Sequence, residues 1–440
     1  MIPIVTRSRS NNSQTRSKGN PLLKHRLLSR AGLLRVLTAL FFAVILFRFS
    51  TKAADFNVYF LAAERFLHGA SIHLAEANLF SYFTAAALFF VPLAPLGYGA
   101  AKIVFCMLSF AGFIIGVRII NSHISTRENH AMWAFIISFA FATRFFLAVF
   151  DNQQTDFLVF CLLLLGLHYY TRNNYRAALL WSAGAILKTN PLFIVLLPIF
   201  QRRYMCAALM LVSTAVLLMT PDLLRIGITR ATVETPEITS IELPRVLIDR
   251  KDRYPMISYP LTALPQTRFA YLKEYLSITF GRGGPNWWED TSNYLNQSLT
   301  RIAMYYLPER IPSVAVFLTL CGAFSLALLN LVRRNRRDIF VLGLMFYAAF
   351  VLIGPMSSKP HFIVMYGLLL FAWQNLFAFF NWSKLLLLAV VSVTLGLTSR
   401  GVMSSYSDIF ALAGHIGIAA LVLWIYVYAL LCKGSSNSTQ

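Results

Sequence analysis

The 440 residues are 57% hydrophobic and only 13% charged, with a mean hydropathy of +0.61. A soluble domain is about 45–50% apolar and about 25% charged, so a soluble globular protein is excluded and a polytopic membrane protein is indicated. The formal charge of +21 speaks for topology rather than for nucleic-acid binding, because the basic residues cluster between apolar runs.

Residues 1–30 carry Arg7, Arg9, Arg16, Lys18, Lys24, Arg26 and Arg30 and no acid. They predict a disordered cytoplasmic tail able to touch anionic headgroups. The tail is too long for a cleavable signal peptide, and no small-residue cleavage site follows the apolar run. Apolar runs then lie near 31–50, 79–97, 101–121, 132–150, 154–171, 177–200, 204–221, 313–332, 339–353, 361–380, 384–398 and 409–432. A spanning helix needs roughly 20 such residues. Residues 31–433 therefore read as one all-α transmembrane domain, with a short cytoplasmic tail at 434–440. The run at 177–200 is broken by Lys188-Thr189-Asn190-Pro191 and predicts two short helices meeting at a polar break.

Loop charge sets the orientation. Arg172 and Arg176, Arg202 and Arg203, Arg333, Arg334, Arg336 and Arg337, Lys384 and Lys433 mark cytoplasmic loops, while the charge-balanced loop 222–312 fits the outer side. Four polar stretches then share the outer face: Asp151–Asp156, Lys188–Pro191, Met356–His361 and Ser399–Asp408. Three apolar runs separate Asp55 from Asp151, so one of them must fail to cross. Residues 79–97, with Pro92 and Pro95, are the expected surface-lying or re-entrant piece. The result is about 12 spans, both termini cytoplasmic, and a first outer loop at 55–78 lying along the membrane.

The five cysteines sit within or at the ends of apolar segments and read as packing residues, with no disulfide or metal site implied. There is no Walker-type glycine loop and no HExxH motif. The polar residues gather on one face instead of deep on facing helices, which argues against a proton-coupled transporter.

Asp55 stands just beyond the first apolar run. It reads either as a helix N-cap or as a general base that takes the proton of an attacking hydroxyl. Lys188, deep in an apolar run, is either an interfacial snorkel or a phosphate anchor. Arg144 interrupts another run ahead of Asp151-Asn152-Gln153-Gln154-Thr155-Asp156, which is either an interfacial loop or a set of groups facing sugar hydroxyls and phosphate. His361 is either interfacial or, with Lys359, a partner for a departing phosphate that gains charge as its sugar leaves. Trp287, Trp288, Tyr294, Tyr305 and Tyr306 read first as interface anchors and second as stacking platforms for sugar rings.

Taken in order, these segments resemble the membrane-embedded glycosyltransferases of the GT-C superfamily, and family 87 in particular. The family's opening aspartate, tyrosine, small residues and glycine match Asp55, Tyr59, Ala62, Ala63 and Gly69. Its F-x-Y…PL…PL segment matches Phe80-Ser81-Tyr82 and Pro92-Leu93-Ala94-Pro95-Leu96. Its Gly-Gln-x-Asn tract falls on Asn152-Gln153-Gln154-Thr155-Asp156, with the glycine and the asparagine replaced. Its Lys-x-x-Pro helix end matches Lys188–Pro191, its Asn-Gln-Ser motif Asn296-Gln297-Ser298, and its late Ser-Pro…His-His tract Ser357–His361, with one histidine in place of two.

The resemblance implies a GT-C fold and an inverting transfer of one sugar, mannose first, and the lack of secretory-pathway retrieval signals with the compact tail points to a bacterial plasma membrane. The donor would be a polyprenyl-phosphate sugar and the acceptor a glycolipid or glycan at the outer face. Asp55 would be the base. Lys188, Lys359, His361 and Arg144 would hold the donor phosphate. Tyr59, Asn152, Gln153, Asn296 and Gln297 would bind sugar or acceptor. Neither a metal nor another cofactor is expected, and membrane lipids are the only other partners. Two rivals are an O-antigen-ligase-like polysaccharide transferase and a lipid or sugar transporter. The first typically relies on arginine and histidine in its large outer loop, and residues 222–312 contain arginines but no histidine.

Overall fold

The structure is a computed structural model that describes residues 42–47, 49, 54–73, 82–124, 128–231, 240–244, 256–261, 264, 269–280, 295–308, 311–335, 338–354, 357–398, 403 and 406–436. The basic tail, Trp287, Trp288 and Tyr294 lie outside these residues. The chain divides into two compact units, Met1–Phe47 and Arg48–Gln440. In the first, residues 42–47 are helical; everything below concerns the second.

Among the described residues the second unit is a helical bundle with one β-hairpin. Helix α1 (Asp55–Leu67) is followed by a four-residue helix α2 (Thr84–Ala87) and a 3-10 segment, Val91–Leu96. Pro92 and Pro95 cannot donate to an α-helical ladder, and Gly97 turns the chain at φ 72° into α3 (Gly97–Ile124). The piece expected to be surface-lying or re-entrant is therefore short and interrupted. Helices α4 (Glu128–Asn152), α5 (Asp156–Thr171) and α6 (Arg176–Leu187) follow. The polar break at Lys188–Pro191 divides its run as expected: α6 stops, Lys188 is extended, and a 3-10 segment (Asn190–Val195) leads into α7 (Leu196–Phe200). Helix α8 (Tyr204–Ala231), the antiparallel strands β1 (Ser240–Pro244) and β2 (Met256–Pro260), α9 (Ala270–Phe280), α10 (Leu299–Tyr306) and α11 (Ser313–Arg334) come next. Then come α12 (Ile339–Ile353), a 3-10 segment (Lys359–Val364), α13 (Met365–Ala378), α14 (Trp382–Leu397), α15 (Tyr406–Leu412) and α16 (His415–Ser436).

Among the described residues, six helical stretches are long and apolar enough to cross a membrane: Thr84–Ile124, Ala131–Asn152, Tyr204–Arg225, Ser313–Arg334, Lys359–Ala378 and His415–Lys433. Five shorter apolar helices lie among them, at Asp156–Thr171, Arg176–Leu187, Pro191–Phe200, Ile339–Ile353 and Trp382–Leu397. The chain is a helical membrane protein. Of the dozen expected spans, the described residues show six long helices and five that are each shorter than a straight crossing requires, and the first expected run, 31–50, lies largely outside them.

Small residues let the helices approach. A methyl group on Gly112 would lie 2.9 Å from the Phe157 carbonyl oxygen, so α3 and α5 pack nearly backbone to backbone. Gly166 of α5 faces the Trp181 ring of α6, and Ser182 Oγ donates to the Met210 carbonyl of α8 at 2.8 Å. Helix α12 is apolar all round and buried along nearly all its length, as a central helix must be.

Acidic side chains fasten α9 over the α1 end of the bundle. Asp222 accepts from the backbone N–H groups of Tyr271 and Leu272 at 2.9 and 3.1 Å. Glu274 accepts from Ser71 Oγ and from the N–H groups of Ile72 and His73.

Candidate active site

Three breaks in helix geometry converge on Asp55. The first is the end of α4, where the N–H of Gln154 bonds to the Val149 carbonyl and that of Gln153 to the Phe150 carbonyl. This is a Schellman closure, with Gln153 left-handed at φ 53° in the place that glycine favours. Counting from that position, the glutamine of a Gly-Gln-x-Asn tract is Gln154 and its last residue is Asp156, one step beyond the sequence register. The second break is extended Lys188, and the third is the 3-10 segment that carries His361.

Asp55 is the first residue of α1; the N-cap is Ala54, which makes no side-chain cap. The Asp55 carboxylate does not cap the helix by itself but accepts from Gln154 Nε2 at 2.7 Å. The other end of that amide, Oε1, lies 3.5 Å from Lys188 Nζ. Lys188 Nζ donates to Asp156 Oδ2 at 2.6 Å, with both side chains buried. Asp156 Oδ1 has no hydrogen-bond partner among the described residues, and His361 Nε2 stands 3.9 Å from it. The N–H of Ser358 donates to His361 Nδ1 at 3.0 Å, so the neutral ring carries its proton on Nε2.

Asp55 keeps some solvent contact but is surrounded by protein. Burial is the main reason its pKa is pushed up to about 6; the Gln154 hydrogen bond and Lys188 pull the other way. Beside it Tyr59 is buried, stacks on Phe90 at 4.7 Å and donates to Tyr82 Oη at 3.0 Å. Burial holds both phenols above their usual range, helped for Tyr59 by Tyr82 and then Asp55 and for Tyr82 by Asp55, so both stay neutral.

Asp55, Lys188 and His361 are thus brought together, with Tyr59 adjoining. Lys188 is not a free cation: its charge is taken up by Asp156. Gln154 and Asp156 were missing from the sequence-predicted set, although an acid is what a lysine deep in an apolar run requires. The remaining predicted residues stand apart from this cluster. Asn152 is exposed, and Gln153 Nε2 donates to the Phe49 carbonyl at 2.7 Å. Arg144 donates to Thr398 Oγ1 at 2.9 Å, at the end of α14. Asn296 and Gln297 are buried and brace backbone. Asn296 Oδ1 accepts from the N–H of Ser357 at 3.1 Å, and the Gln297 N–H donates to the Ser357 carbonyl at 2.8 Å. The Gln297 side chain links the Ala411 carbonyl to the Ile416 N–H. Both therefore act on the segment that leads to Lys359, which is partly exposed, and His361. Among the described residues no three His, Cys, Asp or Glu side chains gather as a metal would need.

A helical membrane protein with a carboxylate, a neutral histidine and an ion pair at one end of its bundle is the class these features define. Residues 80–229, about a third of the chain, match the family model of Glycosyltransferase family 87. The match supports a family 87 glycosyltransferase and covers Tyr82, Gln154, Asp156 and Lys188. No curated protein and no solved structure matches the chain.

Proposed function

We propose that this protein is an integral-membrane glycosyltransferase of family 87 that moves one sugar, mannose first, from a polyprenyl-phosphate donor to a glycolipid or glycan hydroxyl. The single observation that carries the reading is Asp55: a carboxylate outside the candidate spans, oriented by Gln154, with its pKa pushed up to about 6. A base of that strength is ionised at neutral pH and still a competent proton acceptor.

In the proposed reaction the acceptor hydroxyl gives its proton to Asp55. Its oxygen bonds to the anomeric carbon on the face opposite the lipid phosphate. The anomeric C–O bond breaks, its electron pair leaves with polyprenyl phosphate, and the centre is inverted. His361 Nε2–H and Lys359 stabilise the charge that the phosphate gains, and Arg144, held by Thr398 apart from the cluster, would join them only by leaving that partner. Lys188, bound to Asp156, orients the Gln154 amide and adds a weaker share of charge. Tyr59 and the Gln154–Asp156 tract line the sugar side, while Asn296 and Gln297 act through the His361 segment. The orientation that fits this chemistry places the site at the outer face of a bacterial plasma membrane, with about 12 spans and both termini cytoplasmic. Beyond the cytoplasm no nucleotide sugar is supplied, and a lipid-phosphate donor answers that need.

The test is transfer of labelled mannose or arabinose from polyprenyl phosphate to native lipid extract by the purified protein. Product from the wild type that is lost in Asp55→Asn, with donor binding retained, is the expected result. Equal product from both proteins removes Asp55 as the base. Flipping or uptake of labelled substrate without any covalent product points to a transporter.

A further inference from the structure

The end of the bundle away from Asp55 carries a second built feature. Helix α5 starts at Asp156 and ends at Thr171, so Tyr170 near its far end lies about 20 Å from the candidate active site at 1.5 Å per residue. There, between the α7–α8 turn and the α11–α12 turn, is a cavity of about 490 Å³. One part of its wall is basic, with Arg202, Arg203 and Arg333; the rest includes Phe200, Leu329 and Val332. Among the described residues no Asp or Glu lines it. The nearest acid in sequence, Asp338, is occupied by Asn335, whose Nδ2 donates to it at 3.3 Å.

The basic wall is held in place. Arg203 Nη1 donates to the Tyr170 carbonyl at 3.1 Å, and its guanidinium lies 4.6 Å from the centre of the Tyr170 ring. The Tyr170 hydroxyl in turn donates to Gln201 Oε1 at 2.8 Å. Arg202 sits at φ 60°. The N–H of Arg203 bonds to the Pro198 carbonyl and that of Arg202 to the Ile199 carbonyl, so Arg202 takes the left-handed helix-end position that glycine favours. A side chain with a Cβ is disfavoured there, so Arg202 carries its charge at a backbone cost. Tyr204, which lines the cavity, and the adjacent Met205, at the start of α8, are 62% and 72% exposed.

We infer that this cavity binds the headgroup phosphate of an anionic phospholipid in the leaflet away from Asp55. Three arginines supply the charge complement, and the apolar wall fits the upper acyl chains, which a free phosphate would leave uncovered. Basic pockets between membrane helices select such headgroups. The inference is independent of the transfer reaction proposed above.

The test uses the full-length protein in neutral detergent, titrated by native mass spectrometry with phosphatidylglycerol, phosphatidylcholine, or inorganic phosphate alone. Phosphatidylglycerol is expected to bind in preference. Arg202→Gly and Arg333→Gln are each expected to weaken it about fivefold while leaving phosphatidylcholine unaffected. Arg202→Gly also relieves the left-handed backbone, so its melting temperature in neutral detergent should equal or exceed that of the wild type; lost lipid binding then reports lost charge and not lost fold. Equal binding of the two lipids, wild-type affinity in both variants, or equal binding of inorganic phosphate would each overturn the inference.

Discussion

Replacing Gln154 with leucine separates the position of Asp55 from its charge state. The amide donates to the ionised carboxylate at 2.7 Å, and this bond opposes the burial that raises the pKa, the two together leaving it at about 6. A hydrogen bond to a charged group is worth about 1.5–3 kcal/mol, and one pKa unit is about 1.4 kcal/mol. Removing it should move the Asp55 midpoint from about 6 to about 7–8. The sign follows from the role of the group: a base works only when ionised, so activity is lost on the acid side. With the wild-type midpoint at about 6, roughly nine-tenths of the base is ionised at pH 7 and about one-tenth at pH 5. For Gln154→Leu the ionised share at pH 7 falls to between about a half and a tenth, and recovers by about pH 9. The assay is kcat/KM for sugar transfer from the lipid-phosphate donor across that pH range. An acid limb that stays at the wild-type midpoint, with activity lowered equally at every pH, would refute the electrostatic role of Gln154 and leave it a packing residue.

Three more outcomes follow from the packing. Lys188→Met leaves the buried Asp156 carboxylate without its 2.6 Å partner and should cost about 3–5 kcal/mol, while Lys188→Met with Asp156→Leu should recover much of that; thermal unfolding in detergent measures both, and a double variant as unstable as the single one would contradict the pairing. Because folding raises the Asp55 pKa to about 6, the burden of holding the charged form grows as pH rises through that value. Asp55→Asn should therefore melt above the wild type at pH 8, with the gap closing towards pH 4, and a gap independent of pH would count against burial of the charge. Gly417→Ala places a methyl group 2.2 Å from the Gln297 carbonyl oxygen and should cost about 1–3 kcal/mol; an unchanged melting temperature would show that α16 does not need this close seat.

The helix breaks were the most legible part of the chain. Lys188-Thr189-Asn190-Pro191 announces its own interruption, because a lysine and a proline cannot both continue an apolar helix, and the structure breaks there. Asp55 and His361 stood out for a similar reason, as polar groups beside apolar runs. Gln154 and Asp156 did not, because their register depends on Gln153 taking a left-handed conformation that a glutamine side chain does not advertise. Nor does sequence alone reveal that Asn296 and Gln297 spend hydrogen bonds on the backbone of Ser357, Ala411 and Ile416. Those partners lie 61, 114 and 119 positions away, and only the folded bundle brings them near. Arg144 was recognisable as an anomaly in an apolar helix, but its partner Thr398 belongs to a helix end 254 positions on.

The Asp156–Lys188 pair has a consequence for how the chain is made. The two residues lie at the same end of the α5–α6 hairpin, only 32 positions apart, so they can meet as soon as that hairpin leaves the ribosome. Each charge alone would make insertion costlier, by an amount that reaches about 2.5–3.5 kcal/mol only at the bilayer centre. A pair already closed presents the translocation machinery with a nearly neutral open end of the hairpin, opposite the turn that carries Arg172 and Arg176. Asp55 is synthesised about a hundred residues before its amide partner, 99 positions away, and more than three hundred before His361. It must wait near the membrane surface until the rest of the bundle arrives, which makes the ion pair an early product of biosynthesis and the completed site a late one.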